Sequence, residues 1–358
     1  MVKRILIAGY YGFDNGGDEL ILFSLLQELK KLNRRVEITV LSRNPSKTSK
    51  SYKVKAINRW NPLIITAAIL HTDLFVFGGG GLLQDLTGIW SIYYYLGLIL
   101  LGKLFFKKVL LLSQGVGPIG RVISRRVTGI VLGLVDLITV RDELSKFELG
   151  KLNVNLSVSI VPDLVFNLNR FAFRKVASVN ERPAIGVCLQ GGGKDERFIE
   201  VVREICDELV RRIEPKIVFI PFHKWEDLKI SEDMVTRSRN DYQLFLWQNV
   251  WDLFKIYDKI DLILGMRLHS IILACLLRKP FVAISLPKTH ILYDPKVEGF
   301  LELLGYEAID MAVPAPEIAG KVREILTNRR KLLEQISPRV AKLQESSRKN
   351  MEMVENLL

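Results

Sequence analysis

The chain has 358 residues, 49% of them hydrophobic and 25% charged, which excludes a disordered or collagen-like polymer and leaves a soluble protein with core enough for two domains. Lys and Arg number 51 against 39 Asp and Glu, a formal charge of +12 that points to an anionic partner: nucleic acid, an acidic membrane surface, or a phosphorylated or carboxylated substrate. The three cysteines, Cys188, Cys206 and Cys275, are far apart and lie in apolar stretches, which excludes a disulfide framework or zinc-ligand spacing and fits a reducing compartment. Met1-Val2-Lys3-Arg4 runs directly into a strand pattern without the apolar core of a signal peptide, so a cytoplasmic location is expected.

In chain order, short aliphatic runs alternate with helical patterns, as in a doubly wound parallel α/β sheet. Strands are expected over 4–10, 36–42, 74–78, 109–114 and 137–141. Between the first two, residues 18–32 carry Leu20, Ile21, Phe23, Leu25, Leu26, Leu29 and Leu32 at helical spacing, one face of which should lie on the sheet. Residues 46–55 are polar and basic and read as surface. Residues 86–102 carry no charge, but Thr87, Gly88, Ser91 and Gly97 interrupt the run and Lys103, Lys107 and Lys108 follow it. That stretch reads as a helix packed within a domain rather than a membrane span.

Hydrophobic periodicity lapses around Val161-Pro162-Asp163 and through 170–182. The expected organisation is an N-terminal α/β domain over 1–168, a linker over 169–183, a C-terminal α/β domain over 184–315 and helices over 316–358. The second domain repeats the alternation, with strands over 184–189, 216–221, 243–246, 261–265 and 280–285. The charged helical tail, interrupted at Pro338, is expected to pack back across the first domain.

Ligands of open α/β sheets bind beyond the carboxyl ends of the strands. After the first strand comes Gly9-Tyr10-Tyr11-Gly12-Phe13-Asp14-Asn15-Gly16-Gly17-Asp18, a glycine-rich turn into a helix where backbone N–H groups favour an anion. It is neither a GxGxxG nor a Walker motif. The run Gly78-Gly79-Gly80-Gly81 would let a ligand, or simply the neighbouring helix, approach the backbone closely. Val140-Arg141-Asp142-Glu143 sets a cation at a strand tip, readable as an anion site or as an ion pair. Gln190-Gly191-Gly192-Gly193-Lys194 repeats the glycine theme, and Ile220-Pro221-Phe222-His223 places a rare histidine at a strand end. The densest group is Gly265-Met266-Arg267-Leu268-His269-Ser270, where Arg267 as a planar anion fork and His269 as a proton carrier lie two residues apart and could reach one ligand.

Gly78 to Asp85, Gln114-Gly115-Val116-Gly117-Pro118, Asp136 to Glu143, Gly265 to His269 and Tyr293-Asp294-Pro295-Lys296, in that order, resemble the polysaccharide pyruvyl transferase family, and within it the CsaB-type branch. The resemblance implies two Rossmann-like domains arranged like the GT-B glycosyltransferases, with the active site in the cleft between them. It implies that phosphoenolpyruvate donates its three-carbon unit as a ketal across two hydroxyls of a sugar, releasing phosphate. In that branch the acceptor is a β-N-acetylmannosamine of a lipid-linked cell-wall polysaccharide precursor, and the product anchors surface-layer proteins. Residue by residue, the donor-binding arginines match Arg141 and Arg267, the active-site histidine His269 and the late lysine Lys296.

This assignment is chemically coherent. A small skeleton bearing a phosphate and a carboxylate needs convergent cations, which Arg141, Arg267 and Lys296 can supply. The enol ether stays inert until its methylene carbon is protonated; His269 is the candidate general acid, helped or replaced by His223. Asp14 is the candidate base for the acceptor hydroxyl, beside Asn15, Gly16, Gly79 and Gly80 as candidate substrate contacts. No metal or nicotinamide cofactor is required.

Two features depart from the family pattern. Leu286 to Leu292 is inserted before Tyr293, so that Lys288 or His290 could stand in for Lys296, and Cys188-Leu189-Gln190 lies where family members carry an arginine. A lipid-linked acceptor on an anionic inner leaflet would give the positive charge and the apolar 86–101 stretch a common use as a peripheral membrane contact. The alternatives are a GT-B glycosyltransferase using a nucleotide-sugar, for which no convincing ribose- or base-binding set is found, and a non-catalytic polyanion binder. Against the latter, the cations are dispersed and no nucleic-acid module is present, so nucleic acid is not an expected partner.

Overall fold

Strands flanked by helices on both faces must be apolar along their whole length, and Ile5 to Ala8, Leu74 to Phe77 and Val109 to Leu112 are each continuously buried. The computed structural model describes residues 2–32, 35–85, 88–154, 156–168, 182–191, 196–287 and 295–358. Its internal contacts divide the chain into two units, Met1–Asn169 with Leu343–Leu358, and Arg170–Lys342. The linker expected over 169–183 falls largely on 169–181, outside the described residues.

The first unit runs β1 (Lys3–Ala8), α1 (Gly16–Leu29), β2 (Val36–Ser42), α2 (Pro45–Tyr52), β3 (Lys55–Asn58), α3 (Pro62–Leu70), β4 (Leu74–Leu83), α4 (Ile89–Leu104), β5 (Lys108–Val116), α5 (Val122–Leu132), β6 (Leu137–Val140), α6 (Glu143–Gly150) and β7 (Ser159–Ile160). All neighbouring strands pair in parallel, in the order β3-β2-β1-β4-β5-β6-β7. Three helices start on asparagine caps: Asn15, Asn44 and Asn61 accept the N–H groups of Gly17, Lys47 and Ile64.

The second unit runs β8 (Ala184–Cys188), α7 (Glu196–Ile213), β9 (Lys216–Phe219), α8 (Lys224–Thr236), β10 (Gln243–Leu244), α9 (Val250–Lys259), β11 (Leu262–Gly265), α10 (Leu268–Leu276), β12 (Phe281–Ser285), α11 (Lys296–Leu304), β13 (Ile309–Asp310) and α12 (Ala315–Thr327). Its parallel sheet is ordered β10-β9-β8-β11-β12-β13. Helices α13 (Arg329–Ser347) and α14 (Lys349–Leu357) end the chain.

Residues 46–55 lie at the surface as expected, apart from buried Thr48 and Tyr52, and form most of α2 and the start of the edge strand β3. Two expectations are corrected. The glycine run 78–81 does not follow a strand but lies inside β4, where the register with β5 shifts between Gly80 and Leu83. The tail does not break at Pro338, which sits within α13. Leu332, Leu333, Ile336 and Val340 are buried around it, and their packing offsets the hydrogen bond that proline cannot donate.

The end of the chain is fastened to the first unit by polar contacts. Asn350 Nδ2 donates to Ser113 Oγ at 2.6 Å, Thr139 Oγ1 donates to Asn350 Oδ1 at 2.7 Å, and Ser347 Oγ donates to Asn167 Oδ1 at 2.7 Å. Asn350 and Ser113 are fully buried. These bonds satisfy groups that would otherwise cost stability beneath β5 and β6.

Candidate active site

Three neighbouring strands of the second sheet, β9, β8 and β11, lead into loops that meet on one carboxylate. Asp227, in the first turn of α8 and fully buried, accepts the Gly191 N–H on Oδ1 at 2.9 Å and the His223 N–H on Oδ2 at 2.8 Å. The Arg267 guanidinium donates to the same carboxylate, Nε to Oδ2 at 3.2 Å and Nη2 to Oδ1, and Nη2 also reaches Glu226 Oε2 at 2.6 Å. Acids in a helix's first turn also complement its dipole. Gly191 must lack a side chain, because a Cβ there would stand 2.0 Å from the Glu226 carbonyl oxygen.

Charge and burial oppose each other in this cluster. Burial works against the Arg267 cation, but Asp227 and Glu226 outweigh it and hold the guanidinium above its ordinary pKa. Burial likewise favours neutral Glu226, yet hydrogen bonding to His223 and the charge of Arg267 pull its carboxyl down to about 2. Both groups are therefore ionised at neutral pH. Arg267 is thus not the open anion fork expected from sequence: two of its nitrogens are engaged by carboxylates. His223 Nδ1 lies 3.1 Å from Glu226 Oε2, a contact that orients the imidazole. His269, the second residue of α10, is half-buried two positions beyond Arg267, which caps that helix; Lys296 opens α11 and is also half-buried. Lys288, His290, Tyr293 and the stretch 192–194 lie outside the described residues.

In the first unit the expected site residues are largely engaged by their own neighbours. Asn15 Oδ1 accepts the Gly17 N–H at 3.0 Å, so the start of α1, including buried Gly16, is capped by the chain itself. Asp14 adopts a left-handed φ of 58° and pairs with Lys47 Nζ. Glu19 accepts the Gly12 N–H at 2.8 Å and the Tyr52 hydroxyl; burial pushes its carboxyl up against the pull of these bonds. Gly79 and Gly80 have φ of 65° and 85°. A Cβ on Gly80 would stand 2.8 Å from Asp18 Oδ1, so the close approach there is made by α1. Arg141, buried just past β6, sets Nε 3.2 Å from Asp142 Oδ2 and Nη1 3.7 Å from Asp163 Oδ2, the ion-pair reading of that motif.

Sequence reasoning missed three residues that organise these regions. Glu226 and Asp227 carried a signal, two acids placed three and four residues after His223 in a helix's first turn. Arg59, just past β3, did not. It is buried, donating Nη1 to the Gly9 carbonyl at 2.7 Å and Nη2 to the Tyr95 hydroxyl at 3.2 Å. Its guanidinium carbon lies 4.5 Å from the Tyr94 ring centroid and 4.9 Å from that of Phe13, within cation–π range. Burial lifts the Tyr95 hydroxyl to about 12 despite the nearby Arg59 charge, so it remains a hydrogen-bond donor or acceptor and not a base. The Cys188 thiol is likewise pushed up to about 12 by burial, which makes it a poor nucleophile.

Comparison with known proteins adds two findings. The family model described as polysaccharide pyruvyl transferase matches residues 15–287, more than half of the chain. Among solved structures, Anabaena Alr3699/HepE in complex with UDP and glucose is similar with a TM-score of 0.63 at 14% identity, over 99% of this chain and 100% of that one. The UDP-GlcNAc 2-epimerase from Neisseria meningitidis bound to UDP-GlcNAc gives 0.61 at 12% identity, over 100% and 99%. A glycosyltransferase from Rickettsia africae gives 0.62 at 15% identity, over 99% and 98%. At such identities the likeness concerns the fold, which is GT-B-like. Among curated proteins no sequence matches.

Proposed function

The chain belongs to the polysaccharide pyruvyl transferase family and is a transferase, and from that premise we propose that it moves the three-carbon unit of phosphoenolpyruvate onto a sugar of a lipid-linked cell-wall polysaccharide precursor. The acceptor named by the CsaB-type resemblance is β-N-acetylmannosamine. The observation that carries the reading is the Asp227 cluster, which gathers the Arg267 guanidinium and the backbone N–H of His223, whose imidazole faces Glu226, at the carboxyl edge of one sheet, where ligands of such sheets bind.

In this reading Arg267, His269 and Lys296 receive the donor, and a proton is delivered to its methylene carbon. His223, oriented by Glu226, and His269 are the two candidates for that transfer. Protonation makes the central carbon electrophilic. One acceptor hydroxyl adds to it and loses its proton, the C–O bond to phosphate breaks, and a second hydroxyl closes the ketal. Two C–O bonds form and one breaks. Of the two hydroxyl protons released, one replaces the proton spent on the methyl group and the other leaves with phosphate. Asp14 is assigned the first hydroxyl proton. Arg141, engaged by Asp142 and Asp163, is assigned a donor contact only if its replacement changes donor affinity beyond any change in stability. No cofactor enters the scheme.

The UDP complexes among the fold relatives keep one rival open, a nucleotide-sugar glycosyltransferase. Phosphate release from phosphoenolpyruvate with a β-N-acetylmannosaminyl acceptor separates the two. The reading expects turnover with this pair, loss of donor affinity in Arg267→Ala, and in His269→Ala a fall in kcat of at least about a hundredfold with donor binding retained. Turnover of a UDP-sugar in place of phosphoenolpyruvate overturns it.

A further inference from the structure

Helices on the surface of an α/β unit ordinarily turn a polar face to water, but α3 and α4 do not. Their sequences, PLIITAAIL and IWSIYYYLGLILLGKL, hold one charged residue between them, Lys103. The side of α4 formed by Ile92, Tyr95, Leu96 and Ile99 is buried in the core. The opposite side, Trp90, Gly97, Leu100 and Leu104, recurs at helical spacing and is exposed, with Trp90 83% accessible. On α3 the exposed positions include Leu63, at 81%, and Ile64.

The three helices α3, α4 and α5 adjoin in that order. The Trp60 and Tyr94 ring centroids lie 5.2 Å apart, and the Tyr93 hydroxyl is 3.4 Å from Ser124 Oγ. Their N-terminal ends thus bring exposed Trp60, Leu63, Trp90, Val122 and Ile123 to one end of the face. None of the three helices contains an acidic residue, while α5 exposes Arg125 and Arg126 just after exposed Arg121. The flanking acids are occupied. Asp85 accepts the Gly120 and Arg121 N–H groups, and Asp136 accepts from Lys103 Nζ and the Val109 N–H.

We propose that the α3–α4–α5 face is a membrane-docking surface that lies in the headgroup region of an anionic bilayer, Trp60, Leu63 and Trp90 entering the interface and Arg121, Arg125 and Arg126 meeting the lipid phosphates. Charge selects this occupant: an apolar patch without an acidic residue on its helices, fringed by exposed arginines and with Asp85 and Asp136 at its flanks already engaged, is complementary to an anionic lipid surface, and tryptophans are favoured at the interface. The contact is peripheral. At 1.5 Å per residue the 16 residues of α4 reach about 24 Å, short of a hydrocarbon core of about 30 Å. Among the described residues no helix is long and apolar enough to cross a membrane. The inference deepens the lipid-linked acceptor reading and rests on it only for the purpose of docking.

The test is co-sedimentation of the full-length protein, without donor or acceptor, with phosphatidylglycerol/phosphatidylcholine vesicles and with pure phosphatidylcholine vesicles. The protein should pellet with the anionic vesicles and shift the tryptophan emission to the blue. Leu63→Glu combined with Trp90→Glu, and separately Arg125→Glu combined with Arg126→Glu, should each weaken binding by at least about tenfold. Their circular dichroism, thermal melts and phosphate release on a water-soluble acceptor should stay unchanged. Absence of vesicle binding, or binding indifferent to these substitutions, overturns the proposal, as does a solution dimer that Leu63→Glu/Trp90→Glu makes monomeric without any vesicle binding. None of these outcomes bears on the chemistry, which the soluble-acceptor assay reports by itself.

Discussion

Arg59 and Arg267 both follow a short strand at the carboxyl edge of a parallel sheet, and they are held by opposite means. Around Arg267 two carboxylates supply the charge that burial opposes. Around Arg59 the partners are aromatic faces, a phenol and a carbonyl, and no ion pair to it occurs among the described residues. A charge-held arginine depends on the protonation of its partners, and its site can be remodelled by an incoming anion that competes for them. A ring-held arginine is fixed by shape and is indifferent to acid. We read the first as site machinery and the second as the scaffold of the β1–α1 loop.

The largest effect that would break this contrast is expected from Asp227→Ala. It strips a half-buried guanidinium of its fully buried counterion and leaves the Gly191 and His223 N–H groups without their acceptor. A loss of about 3–5 kcal/mol is expected, measured by denaturant unfolding. A cost below about 1 kcal/mol would mean that Asp227 does not organise the three loops.

Arg59→Met keeps the length of the stem and its packing on the rings while removing the cation and two hydrogen bonds. The expected cost is about 2 kcal/mol, and it should not vary with pH between 3 and 7. A strong pH dependence would reveal an ionised partner and erase the distinction.

The smallest effect concerns Glu226. Its folded-state pKa of about 2 lies below the unfolded value of 4.5, so the stability it contributes is complete above about 4.5 and is lost as pH falls toward 2. Glu226→Gln should therefore flatten the acid side of the melting curve in that window and leave neutral stability slightly lower, the effect being reduced by the solvent exposure of the carboxylate. An unchanged acid limb would contradict the coupling of Glu226 to His223 and Arg267.

Much of this architecture was legible in the sequence where burial on both faces imposes a continuous apolar run. The strand expected over 36–42 is β2, and the alternation beyond residue 184 yields β8, β9, β11 and β12 within a few residues. Edge elements carry a weaker signal: β3 has four residues, begins with Lys55 and pairs on one side only, so the polar stretch leading into it reads as surface without a strand. The glycine run was legible as a close approach, but sequence does not say what approaches, and the structure supplies α1. At the site, rare residues at strand ends drew attention to His223, Arg267 and His269. Asp227 stayed hidden because an acid in a helix's first turn has an ordinary explanation in the dipole. Arg59 stayed hidden because its cage is assembled from residues 13, 60, 94 and 95, which only the fold brings together.

The claim that the Asp227 cluster serves phosphoenolpyruvate is tested most directly by a crystal structure of the protein soaked with that compound. Its phosphate or carboxylate oxygens are expected within hydrogen-bond distance of Arg267 or His269. Phosphoenolpyruvate bound away from both, or absent from crystals in which a UDP-sugar occupies the same strand ends, would contradict it.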